Sequence, residues 1–162
     1  LDLNLTGLQG DVMKESMNVA KTLAWKLTPN NIRTKLLTKF KKTKMQCIHI
    51  YCPEGAVPKD GPSAGTAITT CIFSLFNDKK IKNNIAITGE INLQGLVTPI
   101  GGLELKILGG IRAGVKTFIF PKTNNDDFEK IKDDMPDLSI FDGITFIPVE
   151  NIQQVLDIVF ID

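Results

Sequence analysis

Three side chains in this sequence could attack a carbonyl or move a proton: Ser63, Lys106 and His49. Ser63 stands in the run Pro58-Lys59-Asp60-Gly61-Pro62-Ser63-Ala64-Gly65. Two prolines and a glycine fix an irregular backbone just ahead of it. Pro62 suits the first turn of a helix, where its missing N–H is not needed. Ser63 is then expected where unpaired backbone N–H groups and the positive end of a helix converge. A hydroxyl in that setting suits a nucleophile, because the N–H groups can hold a developing oxyanion. It suits a phosphate equally well, and it suits an ordinary helix cap. Ala64, Gly65 and Ala67 keep the turn slim, so another chain can come close.

His49 is the only histidine, so a three-histidine metal site cannot form within the chain. It lies in an apolar strand pattern, Cys47 to Cys52, on the same face as Cys47 and Tyr51 and opposite Ile48 and Ile50. Both a Ser63–His49 pair and a purely structural histidine fit that position. Lys106 lies three residues after Leu103 and four before Gly110, on the edge of an apolar stripe that continues through Ile107, Ile111 and Gly114. A lysine there ordinarily turns its amine outward. Held inside, the amine would favour its neutral form, and a neutral amine can take the proton of a serine.

No G-x-x-x-x-G-K-[ST] phosphate loop is present, and the spacing of Gly101-Gly102 and Gly109-Gly110 is not that of a dinucleotide-binding turn. No ATP-binding loop is therefore expected in this chain. The length of 162 residues suits one domain with a real core. A net charge of +1 gives no strong pull toward nucleic acid or membrane. No apolar run approaches the ~18 residues of a spanning helix, and no signal-peptide pattern opens the chain. Cys47, Cys52 and Cys71 form no C-x-x-C pair, which argues against a zinc site or disulfide framework and for a reducing compartment. The start at Leu1, with no initiator Met, suggests a piece of a longer protein.

The elements that must position these residues alternate along the chain. Residues 1–5 alternate and read as a strand. Asp11 opens a helix whose face carries Val12, Ser16, Val19, Ala20, Leu23, Ala24 and Leu27, and Pro29 ends it. Asn30 to Lys44 is polar and lysine-rich, and reads as a solvated face or connecting loop rather than a nucleic-acid patch. The run from Ala67 to Phe73 reads as a buried helix. Ile85 to Thr88 is a short strand, and Glu90 to Val97 a hairpin turning at Gly95. A helix from Leu103 to about Ala113 closes at Gly114. Strands at residues 117–120 and 144–147 flank a polar helix at residues 126–134, and a last helix runs from Ile152 to Val159. The expected fold class is α/β, with mixed helix and sheet layers, a mixed sheet and one hairpin in a single domain over residues 1–162.

With these pieces in place the chain resembles the Lon proteases. Asp60-Gly61-Pro62-Ser63-Ala64-Gly65, with Pro53-Glu54-Gly55-Ala56 and Pro58-Lys59 ahead of it, is similar to that family's active-site signature. Leu5-Thr6-Gly7, Gly10-Asp11-Val12-Met13-Lys14-Glu15-Ser16, Thr88-Gly89-Glu90, Pro99-Ile100-Gly101-Gly102-Leu103, Gly114-Val115-Lys116-Thr117 and Ile119-Phe120-Pro121 follow in the family's order. The resemblance covers nearly the whole chain, as the proteolytic domain alone. It implies Ser63 as nucleophile and Lys106 as general base, with Thr88 beside the lysine and able to bond it. It also implies polypeptide substrates, six-membered rings of identical subunits, and an ATP- and Mg²⁺-using module upstream of this chain. No cofactor, metal, membrane or nucleic-acid partner is expected here, and the setting implied is the cytoplasm or an organelle matrix. Two positions depart from the family pattern: Thr66, usually apolar or small, and Glu104-Leu105, usually Lys-Glu. Neither removes a catalytic group. A non-catalytic scaffold domain and a phosphate-binding domain of related architecture are the rival readings.

Overall fold

The computed structural model describes residues 1–44 and 47–161. The N-terminal strand β1 (Asp2–Thr6) leads into helix α1 (Asp11–Leu27), helix α2 (Asn30–Thr43) and strand β2 (Cys47–Tyr51). Helix α3 (Gly65–Asn77) follows the Ser63 motif. Strand β3 (Ile85–Ile87) then precedes the hairpin β4 (Glu90–Ile91) and β5 (Val97–Thr98). The chain closes with α4 (Leu103–Arg112), β6 (Thr117–Pro121), α5 (Asn125–Asp134), β7 (Thr145–Val149) and α6 (Ile152–Val159).

The mixed α/β class is as expected, and among the described residues the strands fall into three ladders, two parallel and one antiparallel. β1 and β2 pair in parallel, with Leu3 opposite Ile48 and Leu5 opposite Ile50. β3, β6 and β7 form a second parallel ladder in that order. β4 and β5 make an antiparallel hairpin, and Gly95 turns it with φ 86°. Helices separate the parallel partners, as parallel pairing demands. Pro148 lies inside β7, which bonds only β6; a proline is tolerated there because an edge strand has one side without a ladder to feed.

Two helical readings change. α1 buries Met13, Ser16, Met17, Ala20, Leu23 and Ala24, whereas Val12 is exposed. Apolar residues occupy two neighbouring lines of this helix, and the flexible methionines take the core line. Residues 30–43 are helical rather than a loop, although no residue of α2 is fully buried. Long straight-chain side chains favour the helix intrinsically, and Leu36 packs its one contact line onto the core.

The apolar side chains gather into two cores. The first joins α1, α3 and α6 to Ile48, Ile50, Ile91, Val97 and Ile119. The second is aromatic: Leu103 and Ile107 of α4 lie against Phe118, Phe120 and Phe128, backed by Phe141 and Phe146. Phe118 stacks on Phe146 with centroids 5.4 Å apart, and Phe128 lies 4.6 Å from Phe146. Such offset pairs contribute beyond their buried area.

Candidate active site

Ser63 is placed by a chain of backbone contacts that begins at Asp60. Helix α1 opens at Gly10, which has no side chain to cap it. The Asp60 carboxylate does so from across the fold, accepting the Met13 N–H at 2.9 Å and the Gly61 N–H at 2.8 Å. A Cβ at Gly10 would run into that carboxylate, so the position needs its glycine. The Met13 N–H, then the Gly61 N–H, hold the Asp60 carboxyl below the usual carboxylate range. Lys59 ties the preceding loop together. Its amine donates to the carbonyls of Glu54 and Val57, both at 2.8 Å, and of Gly7 at 3.1 Å. Neither role is visible in the sequence pattern, because Met13 and Gly7, the partners that tie each residue across the fold, lie in another segment.

The expectation that Ser63 sits in the first turn of a helix is corrected. α3 begins at Gly65, and Ser63 lies in the turn before it, where the Gly65 N–H donates to the Pro62 carbonyl at 3.0 Å. Ser63 is not the cap of α3: that position is Ala64, with φ −86° and ψ −6°. Among the described residues the Ser63 hydroxyl has no hydrogen-bond partner, and the N–H groups of Ser63 and Ala64 have no acceptor. The Ser63 carbonyl, by contrast, accepts the Gly89 N–H at 2.8 Å and the Thr88 hydroxyl at 3.4 Å. Thr66 reaches back over the same joint, its N–H and hydroxyl both donating to the Gly89 carbonyl at 3.0 and 2.9 Å. The polar departure at Thr66 is therefore satisfied inside the core. Gly65 lets α3 approach α1 and β4 closely: a Cβ there would lie 2.7 Å from the Ser16 hydroxyl and 3.0 Å from the Ile91 side chain.

Lys106 comes from α4. Leu103 and Ile107 anchor that helix in the aromatic core, 5% and 1% exposed. Lys106 itself is exposed, the outward course that a lysine at the edge of an apolar stripe ordinarily takes, rather than held inside. A helical side chain leans toward the N-terminus of its helix, and here the amine reaches back to donate to the Gly101 carbonyl at 3.0 Å. Glu104 and Leu105 are exposed on the same turn and leave the lysine's path clear.

Ser63, Thr88 and Lys106 line one cleft of about 270 Å³. Ala86, Ile87, Leu103, Ile107 and Phe118 to Phe120 make its walls apolar. Thr88 is in the cleft, but its hydroxyl bonds the Ser63 carbonyl rather than the lysine. His49 is not among the lining residues. It is exposed on β2, and its Nε2 is 2.9 Å from the Thr6 hydroxyl. A hydroxyl, an amine and uncommitted N–H groups around an apolar cleft can carry out acyl transfer. Among the described residues no group of His, Cys, Asp and Glu could hold a metal ion, and no helix is long and apolar enough to cross a membrane.

Residues 1–162 match the Lon protease (S16) C-terminal proteolytic domain. The mitochondrial Lon protease homolog of Debaryomyces hansenii is 41% identical over 162 residues, which is 98% of this chain and 14% of that protein. The Lon proteases of Elusimicrobium minutum and Clostridium acetobutylicum are 43% and 44% identical, each covering 96% of this chain. Those matches span 17% and 19% of the two relatives, so the chain is less than a fifth of the length of the curated proteins it matches. With a match from its first residue to its last, and a serine motif and a lysine meeting in one cleft, the chain belongs to the Lon protease family as a C-terminal proteolytic domain.

Proposed function

We propose that this domain is a serine endopeptidase that works through a Ser63–Lys106 dyad on polypeptide substrates. The observation that carries the proposal is that the two side chains, far apart in sequence, line the same apolar cleft. An extended peptide lies along the cleft, held by main-chain hydrogen bonds that tolerate many sequences. The Lys106 free amine takes the Ser63 proton as the hydroxyl oxygen attacks the scissile carbonyl. The N–H groups of Ser63 and Ala64, which have no acceptor among the described residues, can hold the oxyanion that forms. The ammonium then gives its proton to the leaving amine, and water, deprotonated by Lys106, hydrolyses the acyl-enzyme. The chemistry needs no metal or cofactor on this chain. ATP and Mg²⁺ belong to an upstream module, and six such domains form the ring that encloses the substrate. The setting is the cytoplasm or an organelle matrix.

A peptide boronate tests the dyad directly. It is expected to inhibit cleavage of an unstructured peptide and to be found bound to Ser63, while Ser63→Ala folds normally and neither cleaves nor binds it. Ser63→Ala cleavage at the parent rate, with contaminating proteases removed, refutes the nucleophile and leaves the scaffold reading. ATP and Mg²⁺ are expected to change nothing for this chain alone.

A further inference from the structure

The Lys106 amine is aimed by a carbonyl that has little to hold it. Gly101 is exposed, a Cβ built on it would touch nothing within 4 Å, and Gly102 follows in the left-handed region with φ 69°. Two glycines in a row leave a peptide group free to turn unless its flanks are fixed. One flank is the first turn of α4, where the Lys106 N–H donates to the Gly102 carbonyl at 3.1 Å. The other flank is Ile100, whose side chain packs on the aromatic core and whose backbone N–H and carbonyl are both bonded by the Asn124 side chain.

Asn124 is 3% exposed and lies just after β6. Its Oδ1 accepts the Ile100 N–H at 2.9 Å, and its Nδ2 donates to the Ile100 carbonyl at 2.9 Å. The amide thus makes the two bonds that a neighbouring strand residue would make. Its second N–H donates to the Asp127 carboxylate at 2.7 Å, which fixes the amide's orientation. A buried asparagine with all of these groups satisfied is rigid, and losing it would leave the part-buried Ile100 N–H and carbonyl without these partners.

We propose that Asn124 is a positioning residue for the general base: by clamping Ile100 it fixes the Gly101 carbonyl, and that carbonyl sets where the Lys106 amine lies relative to Ser63. The proposal rests on the Ser63–Lys106 reading, and its test separates the two. Asn124 does not line the cleft, so its effect on the reaction is indirect.

The experiment compares Asn124→Ala, Lys106→Ala and the double variant, using peptide cleavage and single-turnover acylation of Ser63 by an activated aryl ester. Asn124→Ala is expected to lower kcat by about 10-fold or more with KM nearly unchanged, the pattern of a lost transition-state contact. In the Lys106→Ala background the same change is expected to slow ester acylation by less than about 2-fold, because the base it positions is gone. Equal losses in both backgrounds, or a parent-like kcat, overturn the proposal. Full activity in Lys106→Ala overturns the dyad itself. If Asn124→Ala does not fold, Asn124→Asp combined with Asp127→Asn takes its place. That pair keeps the volume, the acceptor for the Ile100 N–H and a bond between residues 124 and 127, and removes the donor to the Ile100 carbonyl. A low kcat in this folded pair supports the clamp, and parent activity refutes it.

Discussion

On the Ser63 side of the cleft the groups held are backbone carbonyls; on the Lys106 side the group held is a side chain. The Ser63 carbonyl is bonded by Gly89 and Thr88, the Pro62 carbonyl accepts the Ser16 hydroxyl at 3.3 Å, and α3 touches α1 through a glycine. α4 instead rests on Leu103 and Ile107 in an aromatic core, and its lysine is exposed and tethered by one hydrogen bond. A backbone joint has almost no alternative arrangements. A lysine side chain has many rotamers, each open to it once its tether is lost. The proposed nucleophile is therefore built into the path of the chain, and the proposed base into the choice of one rotamer.

The comparison is broken most severely at the base. Lys106→Met and Lys106→Arg are each expected to cost about 10²–10⁴-fold in acylation, the range for a lost general base. Arginine keeps the charge but cannot give up its proton. His49→Gln is expected to acylate as the parent does, since His49 faces Thr6 outside the cleft. Normal rates for both lysine variants, with loss in His49→Gln, would move the base to the histidine.

Next comes the support beneath the lysine. Ile107→Ala empties a site that is 1% exposed and is expected to destabilise the fold by about 2–5 kcal/mol in urea denaturation. At temperatures where the variant is still folded, kcat is expected to fall further than in Gly65→Ala. That second variant adds a methyl against Ser16 and Ile91 and is expected to cost about 1–3 kcal/mol. If Gly65→Ala proves as stable as the parent, the close approach of α3 to α1 is not the constraint described above.

The smallest effect is expected at Asp60, and it depends on pH. Donation from the Met13 and Gly61 N–H groups keeps the folded carboxyl ionised to lower pH than the unfolded one. Its stabilising contribution is complete above the unfolded value of about 3.9 and disappears as pH falls through the depressed folded value. Thermal unfolding from pH 7 down to pH 3 is expected to show part of the parent's acid-side loss of stability missing in Asp60→Asn. An unchanged acid slope would show that the carboxylate contributes nothing as a cap.

Where the chemistry follows local pattern, the sequence was readable. The strand face of Ile48 and Ile50, the hairpin at Gly95 and the helix closing before Gly114 are all where alternation, turn residues and stripe place them. Ser63, Thr88 and Lys106 were legible as motif residues, and they do line one cleft. Their local geometry was not. Pro62 predicts a helix start, but its carbonyl is taken by the Gly65 N–H, and the helix begins only there. α2 offers no buried stripe, so periodicity could not reveal it. The Asp60 cap, the Lys59 tether and the Asn124 clamp each join segments separated by other elements. Pattern within a window carries no information about such partners.

Pro148 has a consequence for which way the second parallel ladder can grow. A strand whose next-to-last residue has no N–H is a poor template, so β7 resists recruiting a stray extended chain and the aggregation that follows. The opposite border of that ladder is β3, which among the described residues is paired on one side only, and its Ala86 and Ile87 line the cleft beside Ser63. The ladder is thus blunted on its outer side and left receptive on its inner one. A loose polypeptide added at the β3 border would lie beside the cleft, where one added at the β7 border would begin a fibril.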